Sequence, residues 1–205
     1  RSGFHIKNTA GKMRLDLSHK RLTTPDLRAE LQRLNLSEVT VLNLSHNQLT
    51  TLPPEVSQMT SLWFLDLWKN NLDTLPPEIG DLKSLQDLYL WENNLSTLPS
   101  EIGKLKNLRT LNLWNNNLST LPSEIGELMG LEDLYLSGNQ LSTLPSEIGK
   151  LKSLQGLHLR NNKLSTFPPE IGGLTSLRFL DLGNNPTSRS HKVSELGKAG
   201  LMVIF

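Results

Sequence analysis

The sequence predicts an α/β fold of the solenoid type: a curved coil with one parallel sheet on its concave side and short helical or irregular turns on its convex side. Three observations predict it. Asn47, Asn70, Asn93, Asn116, Asn139, Asn162 and Asn185 recur every 23 residues. Leu42, Leu65, Leu88, Leu111, Leu134, Leu157 and Leu180 recur in the same register. Around each of these leucines apolar and polar residues alternate, the pattern of a half-buried strand. A period of this length marks stacked turns that bury a shared core none could bury alone.

The elements follow in chain order. Residues 1–38 read as an N-terminal cap with a first, irregular repeat. Leu15, Leu17 and Leu22 fit the pattern, but Lys20 stands in the asparagine slot, 27 residues before Asn47. The extra residues fit a longer convex helix, with Thr24 as its N-cap, Pro25 at its first position, Asp26 in its first turn, and Leu27, Leu31 and Leu34 on one face. Residues 39–185 are tandem 23-residue repeats. In each, leucines such as Leu65, Leu67, Leu72 and Leu75, with Ile79 and Leu82, are expected inside. A proline opens the convex turn, as in Pro76-Pro77-Glu78-Ile79-Gly80. The recurrent asparagine is expected to satisfy backbone groups where the chain leaves the strand, since its amide both donates and accepts. Lysines of the "GKLKS" type read as a solvated convex face. Residues 186–205 read as a C-terminal cap helix, with Val193, Leu196, Gly200, Leu201 and Ile204 at helical spacing.

The consensus LxxLxLxxNxLxxLPxEIGxLxx, over about residues 12 to 185, resembles the leucine-rich repeat family. It is most similar to the 23-residue "LPxEIGxL" class, which includes Ras-pathway scaffolds, Erbin- and Scribble-like polarity proteins, plant intracellular members and many bacterial proteins. The resemblance implies a protein-binding scaffold or signalling role without choosing among these.

The variable strand positions carry the candidate site. If Leu65 and Leu67 face the core, then Phe64, Asp66 and Trp68 face the other way, because strand side chains alternate. The position after the third strand leucine runs Ser45, Trp68, Trp91, Trp114, Ser137, Arg160, Gly183. All four tryptophans and both tyrosines fall on or beside this surface, out of an aromatic content of 5%. Trp68, Trp91 and Trp114 should form a ladder with rings about 5 Å apart. We expect Trp68, Trp91, Trp114, Tyr89 and Tyr135 to act as anchors for a partner protein or peptide, flanked by Trp63, Phe64, Asn112 and His158. Asp66, Asp87, Glu92, Arg109, Asp133 and Arg160 are expected to orient it. The competing reading is that neighbouring aromatics stabilise the sheet by cross-strand contact alone. A carbohydrate ligand stacked on the indoles, and a recruiting arm of a larger multidomain enzyme, are the alternative functions.

Composition narrows the classes. The net charge of +1 gives no basic footprint for nucleic acid. No apolar run approaches the ~20 residues that span a bilayer, so membrane insertion is not expected. The absence of cysteine favours a cytoplasmic, reducing compartment, or alternatively an exported bacterial protein. The opening "RSG" without methionine reads as a cloning remnant or as a domain cut from a longer parent. A monomer without cofactor is expected. No catalytic constellation stands out, so the chain is not read as an enzyme. His19 and His46 share a slot, but a metal would want a third ligand, and only Asp16 is near.

Overall fold

The computed structural model describes residues 5–189 and 200–205. Ten strands form one sheet in sequence order: β1 (His5–Thr9), β2 (Lys12–Asp16), β3 (Val39–Asn43), β4 (Phe64–Asp66), β5 (Asp87–Tyr89), β6 (Thr110–Asn112), β7 (Asp133–Tyr135), β8 (Gly156–His158), β9 (Phe179–Asp181) and β10 (Met202–Ile204). β1 and β2 form an antiparallel hairpin, and β2 through β10 run parallel. The register places Leu42, Leu65, Leu88, Leu111, Leu134, Leu157 and Leu180 side by side. Each is buried, as are Leu67, Leu72, Leu75, Ile79 and Leu82, so one continuous leucine core runs the length of the coil.

The asparagines do what the sequence predicts, and more. Asn116 Nδ2 donates to Leu90 O at 2.9 Å and to Leu113 O at 3.1 Å, while its Oδ1 accepts from Leu95 N at 3.0 Å. Leu90 O also receives Asn93 Nδ2, and Leu113 O also receives Asn139 Nδ2. Interior strand-end carbonyls are thus gripped by amides from two successive coils, filling both lone pairs.

The convex side consists of short 3-10 helices such as Pro77–Asp81, Ser100–Lys104 and Ser123–Glu127, each preceded by a proline in extended conformation. They stack closely: a Cβ on Gly103 would lie 2.7 Å from Glu124 O. The convex lysines are not merely solvated. Lys83 Nζ donates to Gly80 O at 2.7 Å, and Lys152 Nζ to Gly149 O at 3.0 Å and Gly173 O at 2.7 Å. They neutralise turn-end carbonyls as cations do at a helix C-terminus.

The first coil carries the expected helix, α1 (Thr24–Leu31), with Leu27 and Leu31 buried and Leu34 packed against the core. Its N-cap is Thr23, not Thr24. Thr23 N donates to Asp26 Oδ2 at 2.9 Å and Asp26 N donates back to Thr23 Oγ1 at 3.5 Å, closing a capping box, and Thr23 Oγ1 also donates to Asp26 Oδ2 at 2.7 Å. Thr24 Oγ1 instead donates to Thr51 O of the next coil.

Most of the expected C-terminal cap helix falls on residues 190–199, outside the described residues. Its expected last turn is not helical: Met202–Ile204 is strand β10, parallel to β9. Leu182 N donates to Ile204 O at 2.7 Å and Met202 N to Arg178 O at 2.8 Å. The β-branched pair Val203-Ile204 favours a strand, and the edge of β9 offers unpaired backbone groups to satisfy.

Candidate functional site

The sheet face opposite the leucine core is set by strand alternation. Phe64, Asp66, Asp87, Tyr89, Asp133, Tyr135 and His158 are only half-buried there, while the leucines between them are fully buried. Trp68 and Trp91 are half-buried, and Trp114 is 37% exposed. No tryptophan enters the core among the described residues.

Trp68 and Trp91 stack with ring centroids 4.1 Å apart and planes 4° from parallel. Trp91 and Trp114 lie 5.5 Å apart, tilted by 37°. The ladder is longer than the three indoles. His46 meets Trp68 edge-on at 4.3 Å, and His19 stacks on His46 at 4.1 Å. Both histidines stand one position after the tryptophan slot, at left-handed φ (55° and 54°), where alternation no longer says which way a side chain points. Trp68 Nε1 is buried and has no hydrogen-bond partner among the described residues.

Two further aromatic groups flank the ladder. Trp63, Phe64 and Tyr89 meet edge to face, at 5.9 and 5.3 Å. Tyr135 stacks on His158 at 4.3 Å, and His158 contacts Phe179 at 4.9 Å. Phe179 was legible, since it occupies the same strand position as Phe64.

The end of the ladder makes a groove. After Trp114 the slot holds Ser137, and the missing ring volume leaves a hollow of about 410 Å³ lined by Trp91, Asn112, Trp114, Tyr135, Ser137, His158 and Arg160. This falls within the ~300–1,000 Å³ of ordinary ligand sites.

Several polar side chains expected to orient a partner also serve the strand that bears them. Asp66 Oδ1 accepts from Trp68 N at 3.0 Å and Asn112 Oδ1 from Trp114 N at 3.1 Å. The same bond recurs at Asp16, Asn43 and Asp181. It is a local turn that aspartate and asparagine favour, and it holds the backbone of Trp68 and Trp114 in place. Arg160 Nε donates to Asp181 Oδ2 at 3.1 Å. Its guanidinium lies against Gly183, where a Cβ would come within 2.6 Å of it. Arg109 approaches Glu132 only to 3.9 Å, both well exposed, a pair of small energetic weight. Glu92 sits at left-handed φ (52°) directly after Trp91.

Burial sets the titration of the face. It raises Asp66 and Asp133 above the usual carboxylate range, and raises Tyr89 and Tyr135. It lowers His158, although Asp133 and Asp181 pull the other way. Gly156 makes this cluster possible, since a Cβ there would collide with the Asp133 carboxylate. Among the described residues, no group of three or more His, Asp or Glu side chains is placed to hold a metal ion, and no helix is long and apolar enough to cross a membrane.

A coil with a leucine core, an asparagine edge and one variable sheet face is a repeat solenoid. The chain belongs to the leucine-rich repeat family. A leucine-rich repeat region matches residues 100–202, and leucine-rich repeat models match 60–118 and 38–59. No curated protein matches it at the same stringency. Solved structures do. The ectodomain of the Arabidopsis thaliana receptor kinase GASSHO1/SCHENGEN3, in complex with Casparian strip integrity factor 2, is 29% identical over 96% of this chain and 24% of its own, with a TM-score of 0.75. The PEPR1–AtPEP1 structure is 31% identical over 88% of this chain and 26% of that chain, with a TM-score of 0.74. An internalin from Listeria monocytogenes, 24% identical over 92% of this chain and 52% of its own, shares the fold with a TM-score of 0.77. The chain therefore spans about half or less of each of these structures.

Proposed function

We propose that the chain is a protein-recognition module, not an enzyme, that binds a partner protein or peptide on the concave face of its sheet. The observation that carries the reading is the groove between Trp114 and Arg160, opened where the aromatic ladder gives way to Ser137. Trp114 turns toward it as the most exposed indole of the ladder, and Tyr135 and His158 complete an apolar wall. Two solved relatives in complexes, GASSHO1/SCHENGEN3 and PEPR1–AtPEP1, support binding by this kind of coil. The asparagine edge and leucine core preorganise the rings, so few rotamers freeze on association. Asp66, Asp87, Glu92, Asp133, Arg109 and Arg160 border the rings and select the partner's polar groups. A sugar ligand is less well served. Trp68 and Trp91 cover each other's faces, at 4.1 Å and 4°, and so withhold the flat surfaces on which a sugar ring would stack.

The test uses the intact domain and a variant with Trp68, Trp91 and Trp114 all changed to Ala, as baits and then in calorimetric titrations of the captured partner. Truncating a hot-spot tryptophan costs about 2 kcal/mol or more, roughly 30-fold in affinity. The variant should lose at least that while keeping its circular dichroism spectrum. Equal affinity for both proteins would refute the reading.

A further inference from the structure

Every coil places one residue, just before the asparagine slot, in the left-handed region. The later coils fill it with Asn115, Gly138, Asn161 and Asn184, at φ of 54° to 71°, the residue types that region tolerates best. The earlier coils fill it with His19, His46, Lys69 and Glu92. Arg21 adds a second left-handed cation at φ 55°. These side chains are retained where asparagine or glycine would strain the backbone less, and such strain concentrates at functional positions.

His19, Arg21, His46, Asn47, Gln48 and Lys69 line one recess of about 330 Å³. Neither Arg21 nor Lys69 enters an ion pair among the described residues. The stacked rings of His19 and His46, 4.1 Å apart, would carry like charges face to face if both were protonated. Burial first, then His19 and Lys69, oppose protonation of His46; Asp66 and Glu92 favour it. The nearby carboxylates are partly engaged: Asp66 Oδ1 accepts from Trp68 N, and Asp16 Oδ1 from Ser18 N and Oγ. Lys20 adjoins the recess through its backbone, which donates to Asn47 Oδ1.

We infer that this recess is an oxyanion site, taking a phosphate or carboxylate group between Arg21 and Lys69. The guanidinium supplies paired donors, the ammonium a compact charge, and the imidazoles join as they protonate. The anion relieves the repulsion between the two rings, so its binding and their protonation reinforce each other. The site adjoins the proposed partner face, since His46 touches Trp68, but its anion chemistry does not rest on that reading. Where both hold, an acidic group of the partner lies at the first coils and its apolar group in the groove beyond Trp114.

The test needs no partner. The ring-proton resonances of His19, His46 and His158 are followed by NMR in the full chain during titration with inorganic phosphate, with acetate, and with chloride at matched ionic strength. The site predicts saturable shifts of His19 and His46 with phosphate or acetate, upward movement of their titration midpoints, and a still His158. Saturation by both anions identifies a carboxylate-sized requirement; saturation by phosphate alone identifies a phosphate group. The double variant Arg21→Asn/Lys69→Asn places asparagine at two left-handed positions, so it keeps the melting temperature and loses at least about tenfold in anion affinity. Lys69→Gln alone should show the same loss in part. Shifts that match chloride, or an undiminished response in these variants, would overturn the site.

Discussion

Replacing Asn116 by Ala tests the physical basis of the coil at a single position. Its amide makes two donor bonds and one acceptor bond in the buried edge. The two carbonyls it serves keep a second amide, from Asn93 and Asn139, so each loses one hydrogen bond but is not orphaned. Leu95 N is left without its acceptor inside the protein. An orphaned buried donor costs about 1–3 kcal/mol, and each lost neutral bond about 0.5–1.5. The sum is about 4 kcal/mol. For a chain of this size that is a fall in melting temperature of about 8–16 °C. Urea unfolding read by circular dichroism and by tryptophan fluorescence measures it, with Asn117→Ala, at an exposed position one residue on, as the control expected to shift by less than about 0.5 kcal/mol. A loss at Asn116 below about 1 kcal/mol, or one equal to the control, would refute the shared-carbonyl account.

Two further predictions concern the convex turns and pH. Gly103→Val should destabilise by about 1–3 kcal/mol in the same urea assay, because its Cβ meets the Glu124 carbonyl of the next coil. The imidazoles of His46 and His158 are held below the ordinary value by burial, so below about pH 6.5 these two groups bind more protons in the unfolded chain than in the folded one. Their contribution is fully present above about pH 6.5 and is lost as the pH falls through the folded values. The raised carboxyls Asp66 and Asp133 act in the opposite sense, their contribution present at acid pH and lost as the pH rises through their folded values. The measurement is therefore a difference: the loss of urea midpoint between pH 7.5 and 5.5 should be smaller in His158→Phe than in the parent chain, and an equal loss would contradict the assignment.

The solenoid was legible because its determinants repeat. The leucine register and the asparagine amide are written many times over, so local ambiguities average out. What escaped notice occurs once. The β1–β2 hairpin turns on Ala10 and Gly11, both at positive φ, a signal of two residues with a single glycine. Thr23 and Thr24 are chemically equivalent candidates for the α1 cap, and only the reach of Asp26 decides between them. β10 forms because β9 has an edge to fill, which no local pattern near Val203 announces. At the face, alternation reads the indoles as lying outside the leucine core, where they are found, but His19 and His46 join the stack through left-handed backbone that a period of two does not describe. Asp66 and Asn112 read as available polar contacts, whereas each secures the residue two positions on.

The double grip on the strand-end carbonyls has a consequence for how injury spreads. Each amide is a rivet through two plates. Removing one loosens the carbonyl of its own turn and that of the turn before it, so a lesion at Asn116 disturbs the seating of Trp91 as well as Trp114. Variants that alter affinity should therefore arise a full turn away from anything a ligand touches.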